Sequence, residues 1–218
     1  MILTKRAPVI AVEGNIGAGK STLCRWIRKN LNCEVIDEAS SSLHPDYARD
    51  PQRWGFTVQM DLLTQRVEAL RRAHEYAITQ ESIIFLDRSI LGERAFANAN
   101  RRVERLSAVE FEIWSRAYNE HLAELEPPDI YLYLEVDVIT AAERATLRDG
   151  GGDAVDREYM VELHYAHERA VEDLQSRGAH VMRAPWGVDR SKHEYSVHAD
   201  IMMSRLKSMF NNALIEPL

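Results

Sequence analysis

Five short apolar runs alternate with longer helical patterns along the chain. The runs lie at 8–12, 33–37, 82–87, 129–136 and 179–183. Segments in which apolar residues recur every three to four positions fill the intervals, at about 20–31, 55–78, 89–100, 107–125, 138–148, 155–177 and 192–212. The third and fourth runs are nearly continuous in apolar residues, which is typical of parallel strands covered on both faces. The alternation predicts an α/β fold with a doubly wound parallel sheet.

A glycine-rich segment between the first strand and the first helix matches the phosphate-loop pattern G-x-x-x-x-G-K-[ST] without a gap. The residues of this loop are Gly14, Asn15, Ile16, Gly17, Ala18, Gly19, Lys20, Ser21 and Thr22. In such a loop the backbone N–H groups and the helix dipole converge on an anion, and Lys20 adds a positive charge. The Ser21 hydroxyl is placed to ligate Mg²⁺. The segment predicts a site for a nucleoside triphosphate and its metal ion.

Composition narrows the class of protein. The 218 residues are 45% hydrophobic and 28% charged, which suits one α/β domain covering 1–218. The net charge of −7 argues against a nucleic-acid polymer as partner. The only cysteines, Cys24 and Cys33, lack metal-ligand spacing and fit a reduced compartment. No apolar run reaches the ~18 residues of a membrane span, and the early first strand leaves no room for a targeting peptide. We expect a cytoplasmic protein with no membrane partner.

Charged residues follow two of the predicted strands. In doubly wound sheets, ligands bind beyond the carboxyl ends of the strands, so Glu38 faces the site and suits a general base. Asp37 is the competing acid, but strand alternation turns it the other way. Asp87 and Arg88 end the third strand, where an acid commonly reaches Mg²⁺ and an arginine would either hold an oxygen at the transfer point or fix the base. A solvated loop acid at Glu38 and a simple Asp87–Arg88 ion pair are the structural alternatives.

Two further groups of residues carry candidate chemistry. Arg144 and Arg148 share one helix face just before a glycine-rich flap, where cations would close over a triphosphate. Surface salt bridges to the neighbouring acids are the alternative for these arginines.

A second candidate face lies on the helical segment that follows the DPQRWGF motif. On it, Phe56 and Gln59 would stack on and hydrogen-bond a nucleobase, although core packing explains the same pattern. Arg66 continues this face, and as a buried arginine it needs an acid, for which Glu93 is the candidate.

Together these motifs resemble the deoxyribonucleoside kinase family over about residues 8–210. The combination consists of the phosphate loop, D-P-x-R-W-x-F-x-x-Q at 50–59, D-R-S at 87–89, the two helix arginines and L-H-Y-A-H-E at 163–168. The resemblance implies a three-layer phosphate-loop kinase fold with a five-stranded parallel sheet in the order 2-3-1-4-5. It also implies an arginine-containing lid at about 144–157.

The resemblance assigns a role to each candidate in phosphoryl transfer from ATP to a deoxynucleoside. It implies that Glu38 is the base on the 5′-hydroxyl and that Arg88 orients the 5′ end. Mg²⁺ would be held by Ser21 and Asp87. Lys20, Arg144 and Arg148 would then stabilise charge on the transferring group.

The same resemblance implies how the acceptor is recognised. Gln59 makes paired hydrogen bonds to the base, while Tyr47 and Asp153 contact the sugar 3′-hydroxyl. The Arg66–Glu93 pair narrows the pocket in members that prefer cytidine or purines, whereas thymidine-type members carry small or apolar residues there. We therefore expect deoxyadenosine, deoxyguanosine or deoxycytidine as substrate rather than thymidine. Family members are mostly dimers, and the helices at 56–78 and 107–125 would supply the face of a homodimer.

Two alternatives stay open from the residues. A thymidylate-type nucleoside monophosphate kinase also carries a phosphate loop and an Asp-Arg pair, but it needs a basic cluster near Glu38 that 39–48 lacks. A non-catalytic nucleotide-binding subunit of the same fold is the second alternative. It is favoured by Gly150, which stands where the family usually has a further lid arginine.

Overall fold

We describe the chain from a computed structural model, which describes residues 6–80, 82–148, 156–187 and 192–209. The strands are β1 Val9–Glu13, β2 Glu34–Ile36, β3 Ile84–Asp87, β4 Ile130–Glu135 and β5 Val181–Pro185. The helices are α1 Lys20–Asn30, α2 His44–Arg49, α3 Pro51–Thr79, α4 Ile90–Arg102, α5 Ala108–Glu124, α6 Val138–Arg148, α7 Arg157–Ser176 and α8 Lys192–Met209.

The five strands form one parallel sheet in the order β2-β3-β1-β4-β5. This confirms the predicted α/β fold and its strand order. The order reverses direction at β1, so β3 and β4 lie on either side of it. Ligands of open parallel sheets bind at such a switch point, beyond the carboxyl ends of the strands. The phosphate loop follows β1 and therefore lies at that place.

Hydrophobic cores cover both faces of the sheet, which explains the continuous apolar runs in the sequence. Successive residues of β1 point to opposite faces: Ile10 lies in one core and Val9 in the other. The first core includes residues of α1 and α8, and the second includes residues of α3 and α5. None of the helices in the described ranges is long and apolar enough to cross a membrane.

The structure differs from the predicted elements mainly at one helix start. The pattern predicts a helix from about residue 55, but α3 begins at Pro51. Asp50 caps this end, since its side chain accepts a hydrogen bond from the backbone N–H of Arg53 at 3.0 Å. Pro51 then occupies a first helical position, where its missing N–H costs nothing. The six-residue helix α2, which precedes this cap, is too short to give a periodic pattern.

Candidate active site

The phosphate loop wraps a small cavity at the N-terminus of α1. Three of its glycines adopt a positive φ, at Gly14, Gly17 and Gly19. At Gly17 a Cβ atom would lie 2.0 Å from the backbone oxygen of Ala141, so no side chain fits there. The loop is further fixed by Lys20, whose Nζ donates to the backbone oxygen of Asn15 at 2.8 Å. The cavity of about 200 Å³ is lined by Ile16, Gly17, Gly19, Lys20, Ser21, Thr22, Arg25, Glu38, Arg88 and Arg144.

A second and larger cavity, of about 430 Å³, lies beside the first. Such a volume falls within the range of small-molecule sites. It is lined by Ile16, Glu38, Ala39, Ser40, His44, Tyr47, Val58, Gln59, Leu62, Arg66, Glu93, Phe96 and Tyr159. Ile16 and Glu38 line both cavities. The structure thus brings four of the predicted acceptor-side residues, Tyr47, Gln59, Arg66 and Glu93, to one cavity and puts Glu38 at its junction with the phosphate loop.

Glu38 is held at this junction by a buried arginine. Arg88 Nε donates to Glu38 Oε1 at 2.5 Å, and another nitrogen of the same guanidinium donates to the backbone oxygen of Gly14 at 2.8 Å. The Arg88 side chain is 2% exposed, whereas that of Glu38 is 36% exposed. Burial favours a higher pKa for Glu38, but the charges of Arg88, Lys20 and Arg66 outweigh it and lower the pKa to about 2. Glu38 is therefore an ionised, accessible carboxylate at neutral pH.

A second arginine–glutamate pair closes the wall of the larger cavity. Arg66 Nε lies 2.5 Å from Glu93 Oε1, and the two side chains are 4% and 0% exposed. Arg66 also reaches Glu38 Oε1 at 3.5 Å. Burial disfavours the charged guanidinium, but Glu93 and Glu38 outweigh it and raise the pKa of Arg66. Glu93 is thus the acid that lies against the buried Arg66 guanidinium, as predicted from the sequence.

Lys20, Asp87 and Ser21 complete the charged groups around the phosphate loop. Burial and the Arg88 charge lower the pKa of the Lys20 ammonium to about 7. Burial and the nearby Glu38 charge raise the pKa of Asp87, an effect that Lys20 and the Ser21 hydroxyl oppose. Asp87 Oδ1 is buried, and within the described parts of the chain it accepts no hydrogen bond. A buried oxygen in need of a partner beside a hydroxyl fits a hard cation such as Mg²⁺.

Gln59 and Tyr47 line the larger cavity in different surroundings. Gln59 is 3% exposed, and its Oε1 has no hydrogen-bond partner in the described structure. Tyr47 donates from its hydroxyl to Asn100 Oδ1 at 2.8 Å and accepts a hydrogen bond from Arg105 at 3.0 Å. Arg105 in turn pairs with Asp156 at 2.5 Å. Gln59 therefore offers a free amide oxygen, whereas Tyr47 is held in a polar network.

The structure does not bring Phe56 into the cavity. Its partly buried side chain packs against the core that includes Leu63 and Val67, which lie about two and three helical turns further along the same face of α3. The core-packing interpretation of Phe56 is therefore the one the structure supports. The aromatic rings that line the cavity are instead Phe96, from α4, and Tyr159, from α7, together with Tyr47. Phe96 and Tyr159 belong to none of the sequence motifs, and only the packing of α4 and α7 brings them to the site.

The predicted lid residues are described in part. Arg144 lines the small cavity and donates to the backbone oxygen of Trp186 at 3.1 Å. The Arg148 side chain and all of Asp153 lie outside the described residues. The competing acid Asp37 turns away from the site and pairs with Arg28 at 2.8 Å, as strand alternation predicts.

Comparison with known proteins agrees with this arrangement. The model of the deoxynucleoside kinase family matches residues 10–208. The chain belongs to this family. The predicted family is thus confirmed, and the expectation of a phosphotransferase is confirmed at the level of the family.

Individual relatives are distant. A deoxyguanosine kinase of Dictyostelium discoideum is 25% identical over 82% of this chain and 64% of its own length. A deoxyadenosine kinase of the same organism is 27% identical over 93% of this chain and 82% of its own length. Human deoxycytidine kinase is 27% identical over 75% of each chain.

A solved structure shares the fold. Deoxyadenosine kinase from M. mycoides with bound dATP superposes with a TM-score of 0.77 at 24% identity, covering 91% of this chain and 99% of its own.

Proposed function

We propose that this protein transfers the γ-phosphate of ATP, or of another nucleoside triphosphate, to the 5′-hydroxyl of a deoxyribonucleoside. The observation that carries the proposal is the position of Glu38, which lines both the cavity of the phosphate loop and the larger cavity beside it. A donor phosphate in one cavity and an acceptor hydroxyl in the other would meet at this carboxylate. The two cavities would also hold the two substrates in line, and phosphoryl transfer depends mostly on such positioning and on charge stabilisation.

Glu38 acts in this proposal as the general base on the 5′-hydroxyl. Its pKa of about 2 keeps it ionised, and its partly exposed side chain is open to the acceptor. Lys20, Arg88 and the lid arginines, Arg144 and Arg148, stabilise the charge that spreads over the transferring group. Because Arg88 touches both Glu38 and the loop carbonyl of Gly14, it links the base to the donor side.

The donor set at the loop fits a magnesium ion. Ser21 and Asp87 would hold it, and when bound the ion neutralises phosphate charge. The buried Oδ1 of Asp87 supports this assignment, since it lacks another partner among the described residues.

We propose a base preference for adenine, guanine or cytosine over thymine. The amide of Gln59 would pair with the base, and the Arg66–Glu93 pair would fill the space that a thymine methyl needs. Tyr47 would contact the sugar, as would Asp153, which lies outside the described residues. The relatives at 25–27% identity bear names of deoxyguanosine, deoxyadenosine and deoxycytidine kinases, which agrees with this preference.

A product assay tests the proposal. The protein is incubated with Mg·ATP and each of the four deoxynucleosides, and the products are separated by chromatography. We expect a 5′-monophosphate from deoxyadenosine, deoxyguanosine or deoxycytidine and a much lower rate with thymidine. Transfer to a monophosphate instead of a nucleoside would favour the nucleoside monophosphate kinase, and no transfer to any acceptor would favour the binding subunit.

A homodimer through α3 and α5 is part of the proposal. Val109 and Ile113 on α5 are 66% and 43% exposed, and Ile78 at the end of α3 is 63% exposed. Apolar side chains exposed on neighbouring helices are typical of protein interfaces. Analytical ultracentrifugation of the wild type and of a Val109→Glu, Ile113→Glu variant tests this: a dimer that the variant converts to a monomer is expected.

A further inference from the structure

The chain turns at Arg88 in a conformation that an arginine rarely adopts. Its φ is +73°, in the left-handed region that favours glycine. This turn joins β3 to α4 and aims the Arg88 guanidinium at Glu38 and Gly14. Such a backbone persists only when neighbouring bonds hold it.

Glu13, the last residue of β1, supplies bonds of this kind. Its Oε1 accepts a hydrogen bond from the backbone N–H of Ser89 at 2.7 Å and another from the Ser89 hydroxyl at 2.6 Å. The N–H of Arg88 itself donates to the backbone oxygen of Val12 at 3.1 Å. Glu13 is 5% exposed, so both bonds are shielded from water. The residue directly after the strained position is thus fixed by a buried carboxylate.

The space around Glu13 is fitted to its carboxylate. A Cβ atom at Gly92, in the first turn of α4, would lie 2.7 Å from Glu13 Oε2, so a side chain there would push the Glu13 carboxylate from its place. Oε2 is buried, with no hydrogen-bond partner in the described ranges. Burying a carboxylate costs free energy unless the group is hydrogen-bonded, and the two hydrogen bonds from Ser89 offset part of that cost.

We propose that Glu13 is a positioning residue, which holds the turn at Arg88 and thereby keeps the Arg88 guanidinium on Glu38. The inference rests on the proposed function, in which Glu38 is the base. Glu13 itself lines neither cavity, so it acts through Ser89 and Arg88 and not on a substrate.

The test compares Glu13→Ala with Glu13→Gln. Alanine removes both bonds to Ser89, so the turn relaxes and kcat falls about 100-fold, the cost of a misplacement of about 1 Å. Glutamine restores most of the activity because its Oε1 still accepts both bonds. The dissociation constant of the nucleoside stays within about threefold of the wild-type value, since Gln59 and the Arg66–Glu93 pair are untouched. If Glu13→Ala fails to fold, Ser89→Ala is the second variant. It removes the hydroxyl bond to Glu13 and the helix-cap bond that the hydroxyl accepts from Leu91 N–H at 3.3 Å, but it keeps the backbone bond to Glu13, and it is expected to lower kcat about threefold.

The titration of Glu38 is a readout that loss of stability alone would not move. Five charged groups act on this carboxylate or are acted on by it: the cations Lys20, Arg66 and Arg88 and the acids Asp87 and Glu93. When Arg88 withdraws, the pKa of Glu38 rises from about 2, and carbon-13 NMR of the labelled carboxylates detects the change without any turnover. In Glu13→Ala we expect this rise, and in Glu13→Gln we expect the wild-type value.

Two controls separate positioning from general damage. Asp129→Asn alters another carboxylate, which precedes β4 and accepts from the backbone N–H of Val9 at 2.7 Å at the amino ends of the strands, far from the site. It is expected to leave kcat unchanged. In an Arg88→Lys background, Glu13→Ala is expected to cost no further activity, because the guanidinium that Glu13 positions is already absent.

An unchanged Glu38 pKa in Glu13→Ala, or an equal loss of kcat in the wild-type and Arg88→Lys backgrounds, would overturn the inference. If the wild type transfers no phosphate, the proposed function fails, and the NMR titration still decides the role of Glu13.

Discussion

Two arginine–glutamate pairs at the site have the same contact distance and opposite surroundings. Arg88 and Glu38 lie 2.5 Å apart, as do Arg66 and Glu93. Glu93 is fully enclosed, whereas about a third of the Glu38 side chain is exposed. The closed pair is buried in the wall of the larger cavity, where it would shape the space for a base. The open pair leaves Glu38 partly exposed, so in the proposed function access to solvent separates the reactive carboxylate from the structural one.

Replacing the open acid should give the largest effect on rate. In Glu38→Gln the amide cannot take a proton, so kcat is expected to fall about 10²- to 10⁴-fold, the usual contribution of a general base. Nucleoside binding is expected to be retained, because Gln59 and the Arg66–Glu93 pair are unchanged. Steady-state kinetics measures the loss of turnover, and a nucleoside titration measures the binding.

Asp37→Asn is the matched control for this variant. It alters the adjacent acid, which pairs with Arg28 on the outside, and it should leave turnover intact. Wild-type-like turnover in Glu38→Gln would remove the assignment of the base.

Replacing the closed acid should affect folding more than chemistry. Glu93→Gln leaves the Arg66 charge buried beside a neutral amide, and breaking such a pair costs about 3–5 kcal/mol. Urea denaturation measures the loss. As a control, Glu124→Gln breaks an ion pair with Arg71 at 3.7 Å in which both side chains are at least half exposed, and a loss of about 0–1 kcal/mol is expected. Equal losses for the two variants would mean that enclosure is not what separates the pairs.

Removing the closed pair altogether should change selectivity. Arg66→Met together with Glu93→Leu replaces both charges by apolar groups of similar size, which is often neutral for stability. The wall then resembles that of thymidine-type family members, and the preference for the other deoxynucleosides over thymidine is expected to fall about tenfold, a typical gain from one small apolar contact. Competition assays with paired nucleosides measure the ratio. An unchanged ratio in a stable double variant would show that selection lies elsewhere in the cavity.

Sequence predicted the two pairs unequally. Glu38, Arg88 and Asp87 follow from where strands end, since parallel strands bring their carboxyl ends to one edge. The pairing of Arg66 with Glu93 follows from the need of a buried arginine for an acid. Phe96, Tyr159 and Arg105 were missed because their roles depend on how α4, the loop after it and α7 pack, which leaves no local pattern. The positive φ of Arg88 was missed for a related reason: Glu13, 75 residues away in sequence, is part of what sustains it.

The third cation near the open pair, Lys20, gives a prediction about proton uptake rather than about rate or stability. The pKa of Lys20, lowered to about 7 from 10.5, leaves a substantial neutral fraction at neutral pH. Triphosphate oxygens favour the charged ammonium and raise that pKa, so binding of the donor takes up a proton when the pH is above about 7. Affinity for a non-hydrolysable ATP analogue should then fall as the pH rises from 7 to 9, by at most about tenfold per pH unit for one proton.

Calorimetry in two buffers of different ionisation enthalpy counts the protons that are taken up on binding. The Lys20→Arg variant, whose side chain stays charged, is the control for protons that the nucleotide itself takes up. Equal proton uptake by wild type and Lys20→Arg would mean that Lys20 is already charged in the free protein, and that the acids Glu38, Asp87 and Glu13 outweigh its burial.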